Sequence, residues 1–376
     1  MKYRKIRLPF RLKEAVLALG GDVKNAICFA RDREAFVSDI IGDLKDVSCY
    51  FKFQNAIRSA PVYLRARPKI IACDLHPEYL SVKYAASLPN IYKAVYVQHH
   101  HAHIASCMAE SMLTNSKVIG VAFDGTGLGD DNTLWGAEFL ICDYSGFKRA
   151  AHLKNMPLIG GEKAILEPWR LLCAWLYSIY GDDFLELKVN IVKSLNRKKW
   201  MVLKKMLLSD LNSPLSSSMG RLFDAVGALV LGKSKVRFEA QAAIALERKV
   251  TSLNLHARRA YRFNIKKENS VYIIDPALMF KEIVADLMRK EDKGVIAARF
   301  HFTIAHMVEK MCLRLRRETG INKVVLSGGV FQNNILKGLA TDLLSQKNFA
   351  VYGHKMLSCS DAGISLGQAA VAAHLS

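Results

Sequence analysis

The segment VQHHHAHIAS (97 to 106) gathers four of the chain's eleven histidines within five residues. On a helix His99 and His103 stand at i and i+4, so both imidazoles project from one face about 6 Å apart, a spacing suited to one metal ion. His100 and His101 leave the helix in other directions and read either as hydrogen bonders facing a cleft or as satisfied core histidines. A two-histidine site needs a third ligand. Asp124 in FDGTG and Asp361 in SCSDAGISLG offer carboxylates, both where the chain turns. Asp124 ends a strand-like run, whereas Asp361 precedes the apolar helix AGISLGQAAVAAHL, where an N-terminal cap competes evenly with ligation. Two imidazoles and one carboxylate suit zinc and ferrous iron alike.

Such residues need rigid elements to hold them. Three apolar, β-prone runs enter glycine turns: VLALGGDVKNAICFA (16 to 30), VIGVAFDGTGLGDDNTLWGAEFLI (118 to 141) and VVLSGGVFQNNIL (324 to 336). The first two continue into a second strand-like segment and read as hairpins, while the third continues into a helix. Glycine turns let backbone N–H groups approach an anion, so three of them around one cleft point to phosphate binding. IIACD (70 to 74) and AVYVQ (94 to 98) read as strands, and HHHAHIASCMAESM (99 to 112) as the helix carrying the histidines. AILEPWRLLCAWLYSIYG (164 to 181) reads as a helix with proline near its start, and 183 to 317 as mostly helical with an interruption at YIID (272 to 275).

The chain has 376 residues, enough for two or three domains with substantial cores. At 51% hydrophobic and 23% charged residues its composition excludes disorder, and no apolar run of about 18 residues offers a membrane span. MKYRKIRLPFRLK carries six basic and no acidic side chains, but the apolar stretch after it ends in Gly20-Gly21-Asp22, so a strand is expected there and not an export signal. Eight scattered cysteines without a C-x-x-C pair read as buried thiols of a reducing cytoplasm. Fifty-four Lys and Arg against thirty-four Asp and Glu leave +20, which favours nucleotides, an acidic protein or nucleic acid as partners. The excess lies in the N-terminal arm, NRKKW (196 to 200), Lys204-Lys205, KSKVR and ARRAYR (within 233 to 262), and reads as solvated surface or as an RNA-binding face. No Pro- or Ser-rich linker interrupts the chain, so its lobes are expected to pack together around a cleft.

VQHHHAHIAS, GVAFDGTGLGDDNTLWGAEF, DYSGF, PLIGGEKAILEPWR, SSSMGRLFDAVGAL, FEAQAAIALE, ARFH, VVLSGGVFQN and SDAGISLGQA occur in an order that closely resembles the C-terminal carbamoyltransferase part of the HypF family of hydrogenase maturation factors. LALGGDVKNAICFARDREAFVSDIIGDL and CDLHPEYLS belong to the same pattern, so the likeness spans about residues 16 to 372. That family is related to tRNA threonylcarbamoyl transferases and antibiotic O-carbamoyltransferases. The resemblance implies an α/β protein of the two-lobed actin and sugar-kinase (ASKHA) fold, with duplicated ribonuclease-H-like lobes around a nucleotide cleft. Lobe I would take residues 1–115, with the helix of 360–376 returning to it, and lobe II residues 116–359. The resemblance further implies that His99, His103 and Asp361 hold a divalent metal, Fe2+ or Zn2+, with Asp124 as fourth ligand or neighbour; these four are the expected catalytic set. Gly125, Thr126, Gly127, Gly328 and Gly329 would face phosphate or acyl-adenylate, Asn333 would sit near the nucleotide, and Asp224 and Glu239 near its ribose. Taken alone, GRLFDAVGALVLG is an ordinary amphipathic helix with Asp224 solvated or capping, Glu239 is a surface charge, and Trp169 and Arg170 are core packing with an ion pair.

The implied reaction uses ATP, with Mg2+ as its candidate companion, and moves a carbamoyl group from carbamoyl-adenylate to the C-terminal cysteine thiol of HypE for cyanide ligand synthesis. An RNA-modifying threonylcarbamoyl transferase and a non-catalytic nucleotide-binding scaffold are the rival readings. The family's N-terminal modules cannot fit before residue 16, so the adenylate is expected from a separate protein or module. Two positions depart from the family pattern. S-Q-H-I-G-D reads Ser38-Asp39-Ile40-Ile41-Gly42-Asp43, which loses a histidine at Ile40, and E-G-Q reads Glu239-Ala240-Gln241, which adds a methyl group at Ala240.

Overall fold

The computed structural model describes residues 1–375 apart from positions 64, 90, 91, 252, 253 and 255–258. Strands β1 (Tyr3–Arg7), β2 (Val16–Ala18), β3 (Cys28–Arg31), β4 (Glu34–Ser38), β5 (Ile70–Asp74) and β6 (Lys93–Val97) form one sheet in the order β1-β4-β3-β2-β5-β6. Here β2, β3 and β4 are antiparallel neighbours, and β5 and β6 extend the sheet parallel to β2. Every side chain of β5 is buried, as a parallel strand covered on both faces requires, and IIACD is accordingly an unbroken apolar run up to its final aspartate.

In the second sheet, strands β7 (Val118–Leu128), β8 (Leu134–Asp143) and β9 (Gly146–Leu153) form an antiparallel meander; β10 (Met156–Pro157) and β11 (Leu215–Ser216) pair beside it. With β12 (Asn264–Glu268), β13 (Val271–Asp275), β14 (Lys323–Ser327) and β15 (Ala350–Gly353) the path is β12-β13-β9-β8-β7-β14-β15, and β14 and β15 run parallel to β7. The second sheet shares a five-strand core with the first, β9-β8-β7-β14-β15 matching β4-β3-β2-β5-β6, and differs in its flanking strands.

The helices are α1 (Val47–Tyr63), α2 (Leu80–Ser87), α3 (His99–Glu110), α4 (Lys163–Leu166), α5 (Trp169–Tyr180), α6 (Asn190–Lys193), α7 (Arg197–Leu208), α8 (Met219–Leu231), α9 (Gln241–Glu247), α10 (Ala277–Met288), α11 (Lys293–Thr319), α12 (Asn334–Gln346) and α13 (Ile364–Leu375). α3 and α13 pack on each other, α13 also against β2 and β5 of the first sheet, and α3 also against β7 and β14 of the second. A Cβ on Gly367 of α13 would lie 1.8 Å from the Ala102 carbonyl oxygen of α3, so glycine permits this approach. One apolar cluster accordingly joins Val16 and Ile70 to Val118 and Val325 through Ile104, Met108, Leu366 and Val371, and packs the two sheets together without a linker.

The three glycine turns fold as two hairpins and a strand–turn–helix. Other expectations shift. The helix expected over 164 to 181 breaks at Glu167, because the residue before a proline disfavours helical backbone, and Pro168 instead starts α5. YIID is half of the hairpin β12–β13, whose turn residues Asn269 and Ser270 both have positive φ. The basic N-terminal arm contributes β1, an edge strand whose charged side chains face solvent. All eight cysteines are free; six are buried, and Cys49 and Cys359 are half-buried. In ARRAYR, Ala257 and Arg258 lie outside the described residues. No helix among the described residues is long and apolar enough to cross a membrane.

Candidate metal centre and cleft

Gln98 begins the helix that carries the histidines. Its Oε1 accepts from the N–H groups of His100 (2.7 Å) and His101 (3.0 Å), and its Nε2 donates to the Leu128 carbonyl (2.9 Å). One amide therefore caps α3 and ties its first turn to the end of β7. The buried rings of His99 and His103 have centroids 5.0 Å apart. β7 loses register with β8 between Phe123 and Gly127, and Asp124 lies in this irregularity. Its Oδ2 stands 3.0 Å from His103 Nε2 and 3.3 Å from His99 Nε2, while its Oδ1 accepts from the N–H groups of Gly125 (2.8 Å) and Gly329 (3.1 Å).

Asp361 approaches from the turn before α13. Its carboxylate, 24% exposed, lies 3.6 Å from His103 Nε2 and 3.8 Å from His99 Nε2, and among the described residues it caps no helix N–H. The turn before α13 thus directs the Asp361 carboxylate towards the two imidazoles. One ligand atom from each of His99, His103, Asp124 and Asp361 lies within 4.8 Å of the other three. His101 instead donates from Nε2 to the Asp143 carbonyl (2.6 Å), as a satisfied core histidine. His100 packs edge-on to His99, and nothing among the described residues partners its Nε2.

Asp74, which the sequence shows only as the last residue of an apolar strand, holds the cluster from behind. Its Oδ2 accepts the His99 Nδ1 proton at 2.7 Å, which leaves Nε2 to face the carboxylates. Burial alone would push His99 down, but the Asp74 charge and the Asp124 hydrogen bond outweigh it and hold His99 well above its ordinary 6.5. Burial likewise opposes protonation of His103, and the hydrogen bond to Asp124 together with the neighbouring Asp361 carboxylate overcomes it. Burial would raise Asp124, but the two imidazoles hold it well below the usual carboxylate range. The cluster therefore draws in positive charge. With neutral imidazoles its two carboxylates leave two negative charges, which a divalent cation balances, and the donor types fit zinc or ferrous iron.

Asp124 and Asp361 also line a cleft of about 480 Å³, so cluster and cleft are one site. Gly125, Thr126, Gly329, Asn333 and Glu239 line it as well. The N–H groups of Gly125 and Gly329 point at Asp124 rather than into open space, so these glycines orient a carboxylate. Gly127 lies outside the lining and packs against the rings of His99 and His100. Gly328 is also set back. Its φ of +100° favours glycine, and a Cβ there would meet the Phe123 carbonyl oxygen at 2.3 Å. Asn333 turns its polar atoms inward: Oδ1 accepts from Leu336 N–H (2.9 Å) to cap α12, and Nδ2 donates to His301 Nε2 (2.8 Å). Burial holds His301 down at about 4, so its imidazole is a neutral acceptor.

Asp224 does not line the cleft and is not solvated. It is buried behind Arg221, with Nη1 to Oδ2 at 3.0 Å, and burial pushes its carboxyl up to about 6. The lining residue is Arg221, which also pairs with the half-exposed Glu239. Arg221 was hidden in an amphipathic pattern, because α8 is buried almost all round. Phe223, Phe238, Ala243, Ile244 and Val330 supply an apolar wall, and Lys24 and Arg221 supply cationic groups. Ile40 is 61% exposed and outside the lining, while Ala240 lines the cleft with φ +63°. Trp169 and Arg170 are structural: the indole is buried, and Arg170 pairs with Glu167 at 2.6 Å.

Fold and site together define a mixed α/β protein with two sheets and a histidine–carboxylate cluster opening on a lined cleft. Residues 11–110 match the family described as the HypF Kae1-like domain, and residues 120–368 the one described as carbamoyltransferase, Kae1-like domain, second subdomain. The chain belongs to the HypF carbamoyltransferase family and corresponds to its C-terminal part. It is 34% identical over 377 residues to the carbamoyltransferase HypF of Synechocystis sp., covering 96% of this chain and 48% of that one. It is 35% identical over 368 residues to a carbamoyltransferase HypF homolog of Cupriavidus necator, covering 95% of this chain and 91% of that one. A crystal structure of full-length HypF in the phosphate- and nucleotide-bound form superposes with a TM-score of 0.92 and 41% identity, over 98% of this chain and 47% of that one. The HypF of T. kodakarensis superposes at 0.85 with 28% identity, over 98% of this chain and 49% of that one. The chain thus spans about half the length of most of these relatives and nearly all of the Cupriavidus homolog.

Proposed function

We propose that this chain carries out the carbamoyl-transfer step of nickel-iron hydrogenase maturation, moving a carbamoyl group from carbamoyl-adenylate to the C-terminal cysteine thiol of HypE. One observation carries the reading. Asp124 and Asp361 belong at once to the imidazole cluster and to the cleft wall, so a group held in the cleft meets the cluster directly. The shared five-strand order, β4-β3-β2-β5-β6 in one sheet and β9-β8-β7-β14-β15 in the other, supports an actin and sugar-kinase type of fold with duplicated ribonuclease-H-like lobes. Residues 1–115 with the C-terminal helix would form lobe I, and 116–359 lobe II.

His99, His103, Asp124 and Asp361 are the residues that would hold an Fe2+ or Zn2+ ion. Such an ion supplies Lewis-acid polarisation of the carbamoyl oxygen. Asp74 fixes His99 by accepting its Nδ1 proton, and the N–H groups of Gly125 and Gly329 fix Asp124. The apolar wall from Phe223 to Val330 receives the base, and Arg221 and Lys24 offer positive charge to phosphate. The thiol sulfur bonds to the carbamoyl carbon, and the bond from that carbon to the phosphate oxygen breaks. AMP leaves with the electron pair, and the thiol proton passes to solvent. A separate adenylating protein or module supplies the adenylate from ATP and carbamoyl phosphate.

The test combines purified chain, HypE, ATP, carbamoyl phosphate and an adenylating HypF module, and reads the HypE cysteine by mass spectrometry. Thiocarboxamide on HypE that depends on both the chain and the adenylating module is expected. Its formation without the adenylating module overturns the division of labour, and its absence with all components overturns the transfer reading.

A further inference from the structure

Glu110 ends α3, eleven residues beyond His99, and a carboxylate in the last turn of a helix opposes the helix dipole. It is nevertheless buried, and its acceptor capacity is filled from a distant part of the chain. Oε1 accepts from the N–H groups of Lys355 (2.6 Å) and Met356, and Oε2 from Leu357 N–H (3.3 Å) and from His354 Nδ1 (2.7 Å). Three consecutive amides and an imidazole thus converge on one side chain. Together the His354 and backbone hydrogen bonds outweigh burial and hold Glu110 down at about 2.

These contacts lead to both carboxylates of the cluster. Segment 355–357 runs directly into the turn that presents Asp361, and Ser106 of α3 donates to the Gly363 carbonyl (2.7 Å) on the other side of that aspartate. His354 reaches from Glu110 to Ser327 Oγ (3.0 Å), next to the Gly328-Gly329 turn whose N–H holds Asp124. The helix that carries His99 and His103 is therefore pinned, at its far end, to the supports of Asp361 and Asp124.

We infer that Glu110 is a positioning residue, setting the register of Asp361 and Asp124 against the two imidazoles without touching the site. This rests on the metal-site reading above, and the experiment separates the two. The full chain, stripped of metal, is titrated with Co2+ and followed by its visible d–d spectrum, for the wild type, Asp361→Asn, Glu110→Gln and Glu110→Asp. Glu110→Gln keeps the size but loses one acceptor oxygen and the charge. It is expected to bind Co2+ about tenfold or more weakly, the scale of losing a residue that orients ligands, with a spectrum displaced towards that of Asp361→Asn. Glu110→Asp, which keeps the charge on a shorter stem, is expected to fall between that variant and the wild type and covers the case in which Glu110→Gln does not fold. A side chain that merely stabilised the fold would lower the melting temperature and leave the spectrum of the folded protein unchanged. Wild-type spectra and affinities in both Glu110 variants overturn the positioning role. Failure of the wild type itself to bind Co2+ overturns the metal site and the positioning role with it.

Discussion

The Nδ1 proton of His99 is held by Asp74 Oδ2 at 2.7 Å, with both side chains 1% exposed, and this one bond settles which ring nitrogen faces Asp124. A neutral imidazole has one donor and one acceptor nitrogen, so fixing the donor aims the acceptor. Asp74→Asn keeps the shape and removes the charge that favours this tautomer. We predict a loss of Zn2+ or Fe2+ affinity of about 10–100-fold, measured by chelator competition. Affinity equal to wild type would show that the ring needs no help.

Opposite pH responses are expected from the metal-free and metal-loaded chains. In the metal-free protein His99 and His103 titrate above their ordinary 6.5, so their stabilisation is complete below about 6.5 and is lost as pH rises through the raised values. Ligation requires neutral imidazoles, so metal affinity rises over the same range and binding releases protons. Urea unfolding between pH 6 and 9, with and without Zn2+, checks the crossing slopes. Parallel slopes would refute it.

Much of this site was legible in its own residues. Spacing alone put His99 and His103 on one helical face and Asp361 at a chain turn, whereas Asp124, expected to end a strand, lies within β7 at its irregularity against β8. The supporting residues were not legible. Asp74 ends an apolar strand, where an acid is ordinarily solvated, and only the pairing of β5 with β6 brings it beneath α3. Glu110 lies 245 residues from Lys355, beyond the reach of any local pattern. Asp224 and Arg221 share a helix that reads as amphipathic but is buried almost all round. NIKKE of β12 carries too little apolar character to announce a strand, since its partner β13 supplies the register.

Ala240 adopts φ +63° at the start of α9, a left-handed conformation in which a Cβ is crowded by the following carbonyl. The family pattern has glycine there, and the physical reason is this backbone conformation. Ala240→Gly is therefore predicted to stabilise the chain by about 1 kcal/mol despite the greater freedom of glycine when unfolded, measured by urea denaturation. Destabilisation would mean that the left-handed backbone costs alanine little.

Arg221 stands between two carboxylates, 3.0 Å from the buried Asp224 and in contact with Glu239 at the cleft. Asp224 titrates at about 6 even with this partner, because burial outweighs the arginine charge. A carboxyl raised above its ordinary 3.8 stabilises the fold fully below that value, and the contribution is lost as pH rises through 6. Arg221→Gln removes the charge that limits the shift and leaves Asp224 buried without its cation. The expected destabilisation is about 3–5 kcal/mol near pH 7 and shrinks towards pH 4, where Asp224 is protonated in either protein. Adding Asp224→Asn should flatten this pH dependence, because the group responsible for it no longer titrates. Unfolding of the wild type, Arg221→Gln and the double variant at pH 4.5 and 7.5 checks the pattern. A deficit in Arg221→Gln that is the same at both values would assign its cost to lost packing rather than to Asp224.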